Sequence, residues 1–298
     1  MINGLKVRGP FDFEKAIRRP LARPSKLFIV RMDDVSYTRA IRVQSRAIPV
    51  TVSVTPSHDD VVLHWTMPDD VSFEESMHIE TTIRRMFCVD EDVEAFYETM
   101  SRRPMWNELI NRFYGLRPIL DGDLFESMVN VIIGQQLNVK FASTLVERLI
   151  DLGDERVEWE GSTLAVFPSP ERVASWAYED LRALSFSQRK AEYVIDFARA
   201  VVDGRVNLSK LWTATEEEIY ETLLPLRGIG RWTVECVLLF GLGRRDVLPA
   251  ADIGLQNAIH KLYGITPRPD EDEVRRLAEL WRPWRSWATY YLWQSLNE

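Results

Sequence analysis

Cysteine is scarce in this sequence: Cys88 and Cys236 are the only two in 298 residues, far apart and outside any Cys-x-x-Cys spacing. That excludes a disulfide framework and gives no anchor for an iron–sulfur cluster. Histidine is almost as sparse, and His58, His64, His78 and His260 show no metal-ligand spacing, so no metal site is expected. No apolar run approaches the ~20 residues that span a bilayer. The opening Met1-Ile-Asn-Gly-Leu-Lys6 also lacks the apolar stretch of a secretory leader. A soluble, cytoplasmic protein without a membrane partner is the expectation. Hydrophobic residues still make up 46% of the chain, enough for more than one core.

Positive charge is short as well. Lys and Arg number 37 against 45 acids, a net charge of −8, which speaks against a protein that coats polyanions. The deficit is local. Between Met67 and Thr99 ten acids face only Arg84 and Arg85, and the rest of the chain balances. Between Arg227 and Arg245 the sign reverses, because Arg227, Arg231, Arg244 and Arg245 face Glu235 alone. A confined contact with phosphates, made by backbone amides and a few cations, therefore stays open.

The hydrophobic pattern predicts an α+β protein: a small N-terminal antiparallel β-sheet with a covering helix, over residues 1–112, then a mostly α-helical bundle over residues 113–298. Strand-like runs occur at Leu27–Val30, Ile41–Val43, Ile48–Val54 and, after a turn from Pro56 to Asp60, Val61–Trp65. Their alternation asks for one covered face. The cover is expected from Ser72 to Phe87, where Phe73, Met77, Ile79, Ile83, Met86 and Phe87 recur with helical spacing. Val93–Leu120 reads as short helices broken near Pro104 and Pro118. Beyond it the pattern is helical. Leu124–Ile133 is apolar on more than one face and stops at Gly134, leaving Gln135-Gln136-Leu137-Asn138 before the next helix. Further helices are expected from Pro170, from Ser187 to Val202, and over the C-terminal stretch. The last of them carries Trp284, Trp287, Tyr290, Tyr291 and Trp293, rings expected mostly in a core.

Two glycines one residue apart, in Leu226-Arg227-Gly228-Ile229-Gly230-Arg231-Trp232-Thr233, lie between helical segments at Thr215–Leu226 and Arg231–Leu242. The chain must reverse there within a few residues, and the second helix opens with free N–H groups where no bulky side chain blocks an approaching phosphate. A plain glycine cap followed by a new helix fits the same letters. Asp252 follows about twenty residues later, after Pro249. It suits an N-cap for the helix beginning at Ile253, a carboxylate at the mouth of a site, or both.

These residues together resemble the helix-hairpin-helix DNA glycosylase superfamily. Trp232, the run Trp281-Arg-Pro-Trp284-Arg-Ser286 and Ile133-Gly-Gln-Gln-Leu137 are similar to its alkylation-repair branch, the DNA-3-methyladenine glycosylase II enzymes. The resemblance implies Asp252 as the catalytic carboxylate and Trp232, Trp293, Cys236 and Ile253 as the lining of the base pocket. It implies DNA contacts at Gly228, Ile229, Gly230, Arg231 and Thr233, with Gln136 or Leu137 wedged into the base stack. Tryptophan at position 232 stands where bifunctional members carry a Schiff-base lysine, so an enzyme without lyase activity is implied. The implied partner is double-stranded DNA with alkylated bases, met by a nucleoid-associated monomer. No cofactor is implied beyond a monovalent cation held by hairpin carbonyls. Two other readings remain: a glycosylase for oxidised or deaminated bases, and a non-catalytic helix-hairpin-helix DNA-binding protein.

Overall fold

The computed structural model describes residues 3–22, 25–56 and 61–296, so the expected turn around His58 lies outside the described residues. Its N-terminal part contains strand β1 (Asn3–Lys6), helix α1 (Phe13–Ala22), and strands β2 (Phe28–Arg31), β3 (Ser36–Val43), β4 (Arg46–Pro56) and β5 (Val61–Thr66). All pair antiparallel in the order β1-β5-β4-β3-β2. The register places Tyr37 opposite Val52, and Val52 opposite Trp65, so their side chains form one apolar row across three strands. Helix α2 (Phe73–Met86) covers that face. Ser72 and Glu75 close a reciprocal capping box at its start, and Ile79, Ile83 and Met86 are fully buried.

Two expectations about this layer need correcting. Phe73 and Met77 keep helical spacing but point outward, 80% and 48% exposed. Strand β3 is covered on both faces rather than one. The second cover is a hairpin of strands β6 (Arg156–Trp159) and β7 (Ser162–Ala165), which the alternation pattern did not reveal in full. The Trp159 indole donates to Thr51 Oγ1 at 2.9 Å, and Arg42 reaches Glu155 at 2.6 Å. The Arg39 guanidinium from β3 meets Glu126 at 2.7 Å, and both side chains are buried. Burial pushes the Glu126 carboxyl up to about 7, with Arg39 opposing.

The remaining helices are α3 (Val93–Ser101), α4 (Pro104–Arg112), α5 (Leu124–Gly134), α6 (Val139–Gly153), α7 (Pro170–Ala174), α8 (Tyr178–Ala183), α9 (Gln188–Val202), α10 (Leu208–Leu211), α11 (Glu216–Leu223), α12 (Arg231–Phe240), α13 (Ile253–Tyr263), α14 (Glu271–Ala278) and α15 (Arg285–Gln294). They build two cores. One joins α5 and α6 to α7 through α12 around Met128, Ile132, Val194, Ile195 and Val237. The other packs α3 and α4 against α13, α14 and α15, with Phe96, Trp106, Trp281, Trp284, Trp287 and Tyr291 in ring-to-ring contact. The segment from α5 to α12 thus departs from one core and returns to it.

Candidate active site

Asp252 is the N-cap of α13, and its Oδ1 accepts the Leu255 N–H at 2.7 Å. The cap leaves the carboxylate half-buried between two indoles. Trp293 Nε1–H donates to Oδ1 at 2.9 Å and Trp232 Nε1–H to Oδ2 at 3.3 Å. Trp232 comes from the start of α12, in one core, and Trp293 from the end of α15, in the other. The two readings of Asp252 are therefore compatible: one oxygen caps a helix while the group as a whole faces the rings.

Helix α12 sets Trp232, Cys236 and Phe240 at four-residue steps, hence on one face. Phe240 stacks on Trp293 with centroids 5.4 Å apart and planes 13° from parallel. The sequence reading missed Phe240, although the four-residue step from Cys236 marks it. Cys236 is buried; burial first, and the Asp252 charge second, raise its thiol well above the ordinary range, so it stays protonated beside the carboxylate. Ile253 projects outward at 61% exposure, as an apolar rim rather than a wall. Gly254 is a second missed residue. A Cβ there would lie 3.0 Å from Asp252 Oδ1 and 3.2 Å from Trp293 Nε1.

The loop ahead of Asp252 is held by the aromatic C-terminal run. Ser286 Oγ donates to the Arg244 carbonyl at 2.6 Å and accepts the Val247 N–H at 3.0 Å, while Arg285 Nε–H reaches Asp246 at 2.8 Å. Trp281 and Trp284 anchor that run in the core. Asp252 N–H then closes a turn onto the Pro249 carbonyl at 2.9 Å. These contacts fix the chain direction into α13.

Upstream lies the hairpin. Gly228 has φ +84°, and a Cβ there would fall 2.3 Å from the Tyr193 ring, so this position requires glycine. Gly230 is the N-cap of α12 with no side-chain cap, and nothing lies within 4 Å of the position its Cβ would take. The first amides of α12, from Arg231 to Thr233, open toward that gap. Ile229 is buried in the first helical core, so its side chain serves packing and only its backbone belongs to the open turn. The arginines are engaged: Arg227 pairs with Glu192 at 2.7 Å, and Arg231 with Glu235 at 3.0 Å. Beside the hairpin, α5 ends in the loop of Gln135, Gln136 and Leu137. Gln136 is exposed at φ +57°, and Leu137 packs partly against the core. A separate crevice, lined by Arg39, Glu126, Phe167 and Leu208, contains none of these residues.

An α+β frame carrying a helix-hairpin-helix turn and a capped aspartate between two indoles defines a class of base-excision protein, and comparison with known proteins agrees. Residues 129–283 match the HhH-GPD superfamily base excision DNA repair protein family. The chain belongs to this superfamily and, within it, to the alkylation-repair branch. It is similar to a DNA-3-methyladenine glycosylase of Bacillus subtilis, with 30% identity over 93% of this chain and 91% of that one. Among solved structures it resembles the 3-methyladenine DNA glycosylase from Archaeoglobus fulgidus, with a TM-score of 0.85 and 26% identity over 98% of this chain and 97% of that one. A Schizosaccharomyces pombe 3-methyladenine DNA glycosylase, solved in complex with abasic DNA, aligns with a TM-score of 0.61 and 28% identity over 69% of this chain and 97% of that one.

Proposed function

We propose that this protein is a monofunctional DNA glycosylase that releases alkylated purines such as 3-methyladenine from double-stranded DNA. The observation that carries the reading is the Asp252 carboxylate, fixed by Trp232, Trp293 and the Leu255 amide beside the hairpin. The bond between C1′ and the base nitrogen is shielded inside a duplex, so the nucleotide must leave the stack first. The open amides of α12 hold the backbone phosphate, and the exposed Gln136, with Leu137 behind it, fills the gap. The released base lies against Trp232, Trp293, Cys236 and the Ile253 rim.

As the C1′–N bond breaks, its electron pair leaves with the base and the sugar becomes cationic. A carboxylate that is already oriented by three donors stabilises that charge without reorganising. Water then bonds to C1′ and its proton passes to solvent, so that, from a cationic alkylated nucleotide, the base and the abasic sugar both end neutral. An alkylated purine carries positive charge of its own, which indole faces attract by roughly 0.5–2 kcal/mol and which makes it a ready leaving group. A strong general acid is then unnecessary. Trp232 has no amine to form an imine with the sugar, so the abasic strand is left intact.

A monovalent cation at the hairpin would draw on main-chain carbonyls. Those of Leu226 and Gly228 already accept hydrogen bonds, from Ile229 N–H and from Gln135, and each retains a second lone pair. Such an ion would stiffen the turn; no step depends on it. The reading extends to a monomer that acts on chromosomal DNA in the cytoplasm. Chromatography of bases released from methylated DNA tests the proposal. Release of methylated purines with no strand cleavage supports it; absence of release, or strand nicking that borohydride traps as an enzyme adduct, refutes it.

A further inference from the structure

The loop that carries Gln136 is tied to the hairpin by the side chain of Gln135. Gln135 donates one amide hydrogen to the Gly228 carbonyl at 2.8 Å and the other to Thr233 Oγ1 at 2.9 Å. Gly228 is the tightest point of the hairpin and Thr233 lies in the first turn of α12, so both partners belong to the phosphate-facing element. The main-chain carbonyl of Gln135 accepts a bond from Lys190 Nζ at 2.7 Å, and the same ammonium reaches the Ile132 carbonyl at 3.1 Å. Lys190 thereby closes the C-terminal end of α5 from helix α9.

The next residue explains why such clamping is needed. Gln136 is not glycine, yet it holds a left-handed backbone at φ +57°. Such a conformation is disfavoured for a residue that carries a Cβ and persists only where the surroundings enforce it. Gln135 and Lys190 enforce it from the residue before. Resting on the glycosylase reading, we infer that Gln135 is a positioning residue that locks the gap-filling Gln136 in register with the phosphate anchor, so that backbone capture and insertion into the stack occur as one rigid movement.

Gln135→Met keeps the length of the side chain and removes both donors. Its activity should be measured under single-turnover conditions on two duplexes, one with a methylated purine opposite its normal partner and one with the same lesion opposite an abasic spacer. Extrusion is hard in the first and easy in the second. The lock predicts a rate loss of about tenfold or more on the paired lesion and a much smaller loss opposite the spacer. Affinity for undamaged duplex should stay within about twofold, because the anchoring amides are intact. Equal losses on both substrates, or no loss on either, overturn the inference. Thr233→Val removes one of the two bonds and, judged only by the ratio of its rates on the two duplexes, supplies the test should the methionine variant fail to fold. If the parent protein releases no base from either duplex, the glycosylase reading fails instead, and the two failures stay distinct.

Discussion

Trp293 donates its indole N–H to Asp252 Oδ1 at 2.9 Å, which joins the last helix to the N-cap of α13 across 41 positions. That bond, with the one from Trp232, orients the carboxylate before any substrate arrives. Asp252→Asn separates the two duties of the residue. Asparagine caps helices as well as aspartate does, so thermal stability should stay close to that of the parent. Base release should fall by at least about 10²–10³-fold, because a neutral amide cannot stabilise the sugar cation. Binding to abasic-site DNA should survive, and a variant that retains full activity removes Asp252 from catalysis.

Gly254 offers a gentler test of the same geometry. Its conformation suits any residue, but the methyl of Gly254→Ala would press on the Asp252–Trp293 hydrogen bond from 3.0 and 3.2 Å. The expected outcome is a fall in the single-turnover rate of about tenfold, with little change in melting temperature. A rate equal to that of the parent would show that the carboxylate tolerates displacement.

The two hairpin glycines should respond differently. Gly228→Val meets both a left-handed backbone and the Tyr193 ring, and should cost at least about 1–3 kcal/mol in denaturant unfolding. Gly230→Val has room for its side chain and should leave the fold nearly intact, while weakening affinity for any duplex because the branched carbon crowds the α12 amides. Equal affinities for parent and Gly230→Val, measured by fluorescence anisotropy, would place the phosphate elsewhere.

Glu126 gives the protein a pH signature unrelated to catalysis. Burial raises its carboxyl from 4.5 to about 7, so between those values the folded state binds a proton that the unfolded chain has released. Its contribution to stability is full below about pH 4.5 and is lost as pH rises through 7. The difference in unfolding free energy between the parent and Glu126→Gln should therefore shift across that window. A difference that stays flat from pH 4.5 to 7 would show that the Arg39 pair keeps the group ionised throughout.

The sequence made the hairpin, the aspartate and most helices legible because each rests on local chemistry. Glycine spacing and a capping Asp252 act within a few residues. The pocket was half legible. Trp232 and Trp293 came through resemblance, whereas Phe240 and Gly254 matter through contacts made across space. The second cover of β3 was hidden for the same reason, since it arrives from a hairpin more than a hundred residues away. Phe73 and Met77 show a different limit: helical spacing places side chains on a face but does not say whether another element meets it.

The C-terminal core draws its rings from helices on both sides of the long segment α5–α12. During synthesis, then, Phe96 and Trp106 leave the ribosome early and wait without their stacking partners until Trp284, Trp287 and Tyr291 emerge. Trp293 follows them. A nascent chain can complete its hairpin while the niche around Asp252 still lacks the Trp293 wall, so that niche is the last part of the molecule to be finished.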